Sequence, residues 1–328
     1  MKKMKLAING FGRIGRIFFR QAYENPNFDI VAINDLGSKE NLLYLLRHDS
    51  VYGKYETMIS KDLVFLSERD PSRLPWKEMD VDVVVESTGV FESYEKAKAH
   101  LSAGAKRVVI TAPVKDDEAK TFTPNVGVDM AGLSQITSNA SCTTNATTPV
   151  VAVMMGTVGI VKAVLNTVHG YTASQGLVDS PAEKDFRRGR AAAHNIVPSS
   201  TGAAIATTKA IPGMRDLFDG IAMRVPVISG SLVDFTFVSK RKTSVEEIND
   251  IFKRAEKSEE WKGILKTTDE PIVSSDIIGD PYGAVIDLDM TRVVDGDLVK
   301  VLSWYDNEWG YSAMLAKHIE SLAPLLSE

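Results

Sequence analysis

Through the first 110 residues, short unbroken apolar runs alternate with segments whose apolar positions recur at helical spacing. Lys5 to Asn9 predicts a strand, followed by a glycine turn and a helix ending near Tyr23. Phe28 to Ile33 predicts a second strand, and the leucines at 42, 43, 45 and 46 predict a helix from Ser38 to His48. Leu63 to Leu66, Val81 to Val85 and Arg107 to Thr111 are further strands, with a helix from Glu92 to Ala103 before the last of them. The β-branched run at 81–85 suits a strand covered on both faces. Strand and helix in alternation predict an α/β fold with a Rossmann-type, doubly wound parallel sheet, whose ligands bind beyond the strand carboxyl ends.

Beyond residue 142 the segments lengthen and alternate with period two. Ile160 to Thr172 would place Val161, Ala163, Leu165, Thr167 and His169 on one face. Strands are predicted at 221–225, 232–238, 284–290 and 298–304, and amphipathic helices at 244–257 and 308–322. Helical spacing puts His318 on a packed or exposed helix face rather than in a ligand set. This half reads as an α+β domain with a largely antiparallel sheet. Residues 171–197 carry no period and hold Lys184, Asp185, Arg187, Arg188 and Arg190, a loop long enough to be functional or interfacial.

Length adds one inference: 328 residues exceed the usual single core, so two domains are expected. The boundaries are 1–141 for the dinucleotide-binding domain and 142–306 for the catalytic domain. Ordinary hydrophobic and charged fractions (44% and 25%) and a net charge of −5 give no reason to expect nucleic acid or an acidic membrane surface as partner. The N-terminus lacks a signal-peptide core and no apolar run approaches membrane-spanning length, so a cytoplasmic location is expected. One cysteine excludes an internal disulfide, and no His/Cys cluster has metal-ligand spacing, so no metal is expected.

That cysteine is the centre of the candidate chemistry. Cys142 follows Ser138-Asn139-Ala140-Ser141 and precedes Thr143-Thr144-Asn145 and an apolar run, so it falls in the first turn of a buried helix. Unpaired amides and the helix dipole there favour thiolate, although a lone cysteine is also often an inert core residue. His169, ending its strand, could reach Cys142 as a base or be merely structural. Gly10-Phe11-Gly12-Arg13-Ile14-Gly15 lies between strand and helix, where glycines admit a pyrophosphate. Asp35, ending the second strand, would grip a ribose 2′-hydroxyl and repel a 2′-phosphate, favouring NAD over NADP. It could instead cap the next helix, a place that Ser38 fills well.

With these pieces the chain resembles the glyceraldehyde-3-phosphate dehydrogenase family over nearly its whole length. Asn9 to Arg16, Ser138 to Asn145, His169 to Thr172, Ser200 to Ala204, Met223 to Pro226 and Trp304 to Glu308 occur in the family's order. The resemblance implies oxidation of D-glyceraldehyde 3-phosphate with NAD and inorganic phosphate to 1,3-bisphosphoglycerate, through a Cys142 thioester with His169 as base. It implies cofactor contacts at Gly10, Gly12, Arg13, Ile14, Gly15, Asp35, Arg69, Thr111 and Asn307. Thr172 and Arg224 match its substrate-phosphate site. Ser141, Thr143, Thr201 and Gly202 match its inorganic-phosphate site, with Arg187 nearby. It further implies a homotetramer and a C-terminal helix, 307–328, packed back on the cofactor domain. Ala146 stands where many members have a second cysteine, and Val225 to Gly230 lacks the usual second proline. Erythrose-4-phosphate dehydrogenase is a related alternative, though it usually lacks the Ser-Thr-Gly-Ala-Ala segment kept here. A non-catalytic nucleotide-binding protein is another, since fold alone does not confer function.

Overall fold

A computed structural model describes residues 3–183 and 185–326, and places them in two compact units. The first comprises 1–140 and 312–328, the second 141–311. Lys184, which the loop reading includes, and the last two residues of the predicted C-terminal helix lie outside the described residues.

The first unit is built on a seven-stranded sheet: β1 (Met4–Asn9), β2 (Phe28–Asn34), β3 (Val64–Leu66), β4 (Val83–Glu86), β5 (Arg107–Ile110), β6 (Lys120–Thr121) and β7 (Ile136–Ser138). Their order is β3-β2-β1-β4-β5-β7-β6, and every pairing is parallel. All four residues of β4 are buried, as a strand covered on both faces requires. The order reverses beside β1, which opens a crevice at the carboxyl ends of β1, β2 and β4. Helices α1 (Arg13–Ala22), α2 (Lys39–Arg47) and α3 (Tyr94–Ser102) fill the crossovers. Ser38 and Ser93 cap α2 and α3 by accepting the amides of Asn41 and Lys96. From Ser312 onward the chain packs into this unit, where Leu315, Ile319 and Leu322 join the core of Leu6, Ile8, Phe18 and Phe19.

The second unit carries α4 (Cys142–Met155), then β8 (Ile160–Gly170), β9 (Val197–Ser200), α5 (Ala203–Ala210), β10 (Phe218–Val225), β11 (Ser231–Ser239), α6 (Val245–Glu256), β12 (Leu265–Thr268), β13 (Ala284–Val294), β14 (Leu298–Tyr305) and the start of α7 (Trp309–Glu320). The strand order is β9-β10-β8-β11-β14-β13-β12. The pairs β8/β10 and β12/β13 are parallel and the other four antiparallel, so the sheet is mixed. Burial on β11 alternates strictly, with Val233, Phe235 and Phe237 inward. Val161 departs from its predicted face and is 43% exposed, because a register shift between Ile160 and Lys162 breaks the alternation before Leu165, Thr167 and His169 resume it.

Candidate active site

Ser141 is the N-cap of α4: its hydroxyl accepts the Thr144 amide at 3.1 Å and so fixes Cys142 as the first helical residue. His169 is the penultimate residue of β8, and Arg224 is its register partner on the neighbouring parallel strand. The two strands thereby present both side chains at one edge. Cys142 Sγ lies 3.3 Å from His169 Nε2. His169 Nδ1 is 2.6 Å from the Gly170 carbonyl, which accepts from the Nδ1–H tautomer, and in that tautomer Nε2 faces the sulfur with its lone pair. Arg224 Nη1 donates to the same carbonyl at 3.0 Å and sits 2.8 Å from Nδ1.

Electrostatics corrects one expectation. Burial pushes the Cys142 thiol above its usual range, and this outweighs the downward pull of Arg224 and of the amides of Cys142 and Thr143. Burial thus opposes the stabilisation of thiolate that the helix N-terminus supplies at Cys142. Burial first, then the charges of Arg224 and Arg188, lower His169 to about 3. An anion that neutralised those arginines would remove the second cause and make the imidazole a stronger base.

The same burial governs acid stability. His318, stacked on Phe122 with ring centroids 3.8 Å apart and 2.9 Å from the Thr137 hydroxyl, is also lowered by burial to about 3. Between the ordinary value of 6.5 and about 3, the unfolded chain binds these two protons and the folded chain does not. Stability should accordingly fall as pH drops through that window, each histidine steepening the decline by up to about 1.4 kcal/mol per pH unit. Melting temperatures between pH 7 and pH 4 check this; a His318→Asn variant with an equally steep decline would contradict the share assigned to His318.

Around the pair, the phenol of Tyr305 lies between the hydroxyls of Thr143, at 2.9 Å, and Thr167, at 2.8 Å, and its ring meets His169 edge to face. Sequence reasoning assigned Tyr305 no role. Its signal was the alternation along β14, which turns Val299, Val301, Ser303 and Tyr305 to the buried side. Arg187 is exposed on a short 3-10 turn, where its backbone amide donates to Asp185 and its carbonyl accepts the Arg190 amide. Arg188 is the residue whose charge reaches His169 and Arg224, and its guanidinium also donates to the Ser200 carbonyl. The arginine of this loop whose charge acts on the pair is thus Arg188, which also lies 3.5 Å from the Asp185 carboxylate. Thr172 follows β8 by two residues and pairs with Ser174 at 2.9 Å. Thr201 follows β9, and its hydroxyl accepts the Ala203 amide, while Gly202 is the N-cap of α5 with open space where a Cβ would be. Arg224 Nε is buried and has no hydrogen-bond partner among the described residues, a donor available to an anion.

In the first unit the glycines have distinct reasons. Gly10 has φ +94°, and a Cβ there would lie 2.6 Å from the Thr88 nitrogen; one at Gly15 would lie 2.2 Å from the Gly10 carbonyl oxygen. Gly12, the N-cap of α1, has nothing within 4 Å of the place a Cβ would take, so backbone amides there stand open to a pyrophosphate. Arg13 pairs with Asp49 and lies over the Tyr52 ring, and its backbone amide and that of Ile14 belong to the first turn of α1. Asp35 accepts the amides of Phe11 at 2.7 Å and Gly37 at 2.8 Å, which orient its carboxylate. A cavity of about 340 Å³ is lined by Gly10, Gly12, Asp35, Arg69, Thr88 and Phe91 among others. Thr111 is outside that lining, its hydroxyl donating to the Glu86 carbonyl. Asn307 belongs to the second unit, where Ser231 Oγ and the Gly230 amide both donate to its side-chain oxygen. Its amide NH2 is thereby oriented away from them.

Comparison with known families covers both units. Residues 4–94 match the glyceraldehyde 3-phosphate dehydrogenase NAD binding domain, and 141–307 the C-terminal domain of the same family. The chain is 43% identical to the glyceraldehyde-3-phosphate dehydrogenase of Zymomonas mobilis, over 98% of this chain and 99% of that protein. It is 43% identical to glyceraldehyde-3-phosphate dehydrogenase 2 of Bacillus subtilis, over 98% and 97%. With the protein of that name from Thermotoga maritima it shares 46% identity, over 97% and 98%.

Proposed function

This chain belongs to the glyceraldehyde-3-phosphate dehydrogenase family, and we propose from that premise that Cys142, His169 and the arginines beside them carry out its phosphorylating oxidation of D-glyceraldehyde 3-phosphate. The observation that carries the proposal is the 3.3 Å approach of Cys142 Sγ to His169 Nε2. His169 Nε2 takes the thiol proton as sulfur adds to the aldehyde carbon, giving a hemithioacetal. When bound, NAD supplies the acceptor for the hydride that this carbon loses, which leaves a thioester on Cys142. Gly10, Gly12, Gly15, the amides of Arg13 and Ile14, and Asp35 are the groups suited to hold it, and Asp35 disfavours a 2′-phosphate. An oxygen of inorganic phosphate then attacks the thioester carbonyl, the C–S bond breaks, and the Cys142 sulfur regains its proton from His169.

Two anions need two sites. Thr172 and Arg224 are assigned to the substrate phosphate, and Ser141, Thr143, Thr201, Gly202 and Arg188 to inorganic phosphate. The unpartnered Arg224 Nε supports the first assignment. Arg224→Ala should cut kcat/KM for glyceraldehyde 3-phosphate about 10- to 150-fold relative to that for unphosphorylated glyceraldehyde, since only the former loses a charge-assisted bond. Equal losses for the two substrates would assign Arg224 elsewhere.

The function itself is tested by NADH formation with and without phosphate. With phosphate, turnover should be sustained; without it, about one NADH per active site should form before near-arrest, because the thioester awaits its acceptor. Sustained turnover in phosphate-free buffer would make water the acceptor and end the phosphorylating assignment.

The loop at 171–197 leaves Leu177, Val178 and Ile196 each 70% exposed and Phe186 83% exposed, an apolar surface that suits the homotetramer of the family reading. A monomer in analytical ultracentrifugation would oppose that state. Among the described residues no helix is long and apolar enough to cross a membrane, which is compatible with a cytoplasmic enzyme.

A further inference from the structure

The carboxyl ends of three neighbouring strands hold a buried polar relay that this chemistry does not use. Asn9 ends β1, Asn34 ends β2 and Glu86 ends β4, and all three are register partners across the sheet. None is more than 4% exposed. Asn34 Nδ2 donates to Asn9 Oδ1 at 2.7 Å, and Asn9 Nδ2 donates to Glu86 Oε2 at 2.6 Å. His100 Nε2, from α3, lies 3.0 Å from the same carboxylate oxygen, and His100 Nδ1 lies 3.0 Å from the Trp76 indole nitrogen.

The proton positions follow from donor chemistry. An indole N–H only donates, so His100 Nδ1 is an unprotonated acceptor and the ring proton sits on Nε2, directed at Glu86. The Thr88 amide and hydroxyl both donate to Glu86 Oε1, the amide at 2.8 Å. Glu86 therefore receives four donors and offers four acceptor positions. What a fully satisfied buried network fixes is geometry.

The geometry it fixes is that of the cavity beside Asp35. At one end of the relay, Asn34 bonds both the amide and the carbonyl of Glu68, each at 2.9 Å. At the other, the Thr88 hydroxyl accepts the Val90 amide at 3.1 Å, and the Phe91 ring meets His100 edge to face. Glu68, Thr88, Val90 and Phe91 all line the cavity. We propose that Glu86, oriented by His100 and Trp76, is a positioning residue for the adenosine half of NAD, setting the separation of the Glu68–Arg69 and Thr88–Phe91 walls. This rests on the NAD-binding reading above.

The test compares binding of NAD and of ADP-ribose, which lacks nicotinamide, by isothermal titration calorimetry. Glu86→Gln brings an N–H against one of the existing donors, and should weaken both ligands by about tenfold while kcat at saturating NAD and KM for the aldehyde stay within about twofold. If that variant does not fold, His100 decides. His100→Gln keeps an acceptor for Trp76 and a donor for Glu86 and should bind within about twofold of wild type, whereas His100→Leu should lose about tenfold. Wild-type affinity in Glu86→Gln or His100→Leu, or equal losses in His100→Gln and His100→Leu, would overturn the proposal. A wild-type protein that bound neither NAD nor ADP-ribose would instead overturn the cofactor reading on which it rests.

Discussion

Replacing Cys142 with serine should slow aldehyde oxidation by about 10⁴-fold or more while leaving NAD affinity within about twofold. A serine hydroxyl in the same place, 3.3 Å from His169, is a far weaker nucleophile. NAD affinity is insulated because Gly10, Gly12 and Asp35 belong to the other compact unit. Initial rates of NADH formation at saturating substrates, with calorimetry for NAD, measure both quantities. A variant that kept a tenth of the wild-type rate would remove Cys142 from the mechanism, and a parallel loss of NAD binding would indicate misfolding.

His169→Asn should cost about 10² to 10⁴ in kcat, the usual contribution of a positioned general base. The thiol suffers first. With burial already pushing the Cys142 thiol up, the proton has no acceptor once Nε2 is gone, and Arg224, the Thr143 hydroxyl and the helix amides are left to favour the anion. The variant should therefore recover activity as pH rises and more thiol ionises, giving a steeper alkaline dependence of kcat/KM than wild type. Stopped-flow measurement of the first NADH formed isolates this step. An unchanged rate, or a loss with no change in pH profile, would assign His169 a structural role.

Much of the fold was legible because its signals are local. The run at 81–85 and the glycines at 10, 12 and 15 each announce their environment within a few residues, and Ser38 caps its helix as its position suggests. What was not legible depends on contacts between distant segments. Nothing near Val161 in sequence signals the register shift against β11 that exposes it. The choice between Arg187 and Arg188 turns on one step of a 3-10 turn, where the neighbouring side chain points to solvent. The helix N-terminus at Cys142 is visible in the residues that follow it, but the burial that pushes its thiol up is not. Nor could spacing reveal Glu86, His100 and Trp76 as one relay, because separations of 14 and 24 residues carry no period.

The central claim is that Cys142 itself carries the oxidised substrate until phosphate removes it. The most direct measurement is intact-protein and peptide mass spectrometry after mixing the protein with NAD and glyceraldehyde 3-phosphate in phosphate-free buffer, quenched in acid to preserve a thioester. The account predicts a mass gain of one 3-phosphoglyceroyl group, confined to the peptide containing Cys142, that disappears on addition of phosphate as 1,3-bisphosphoglycerate is released. NADH formed with no adduct on Cys142, or an adduct that phosphate leaves in place, would contradict it.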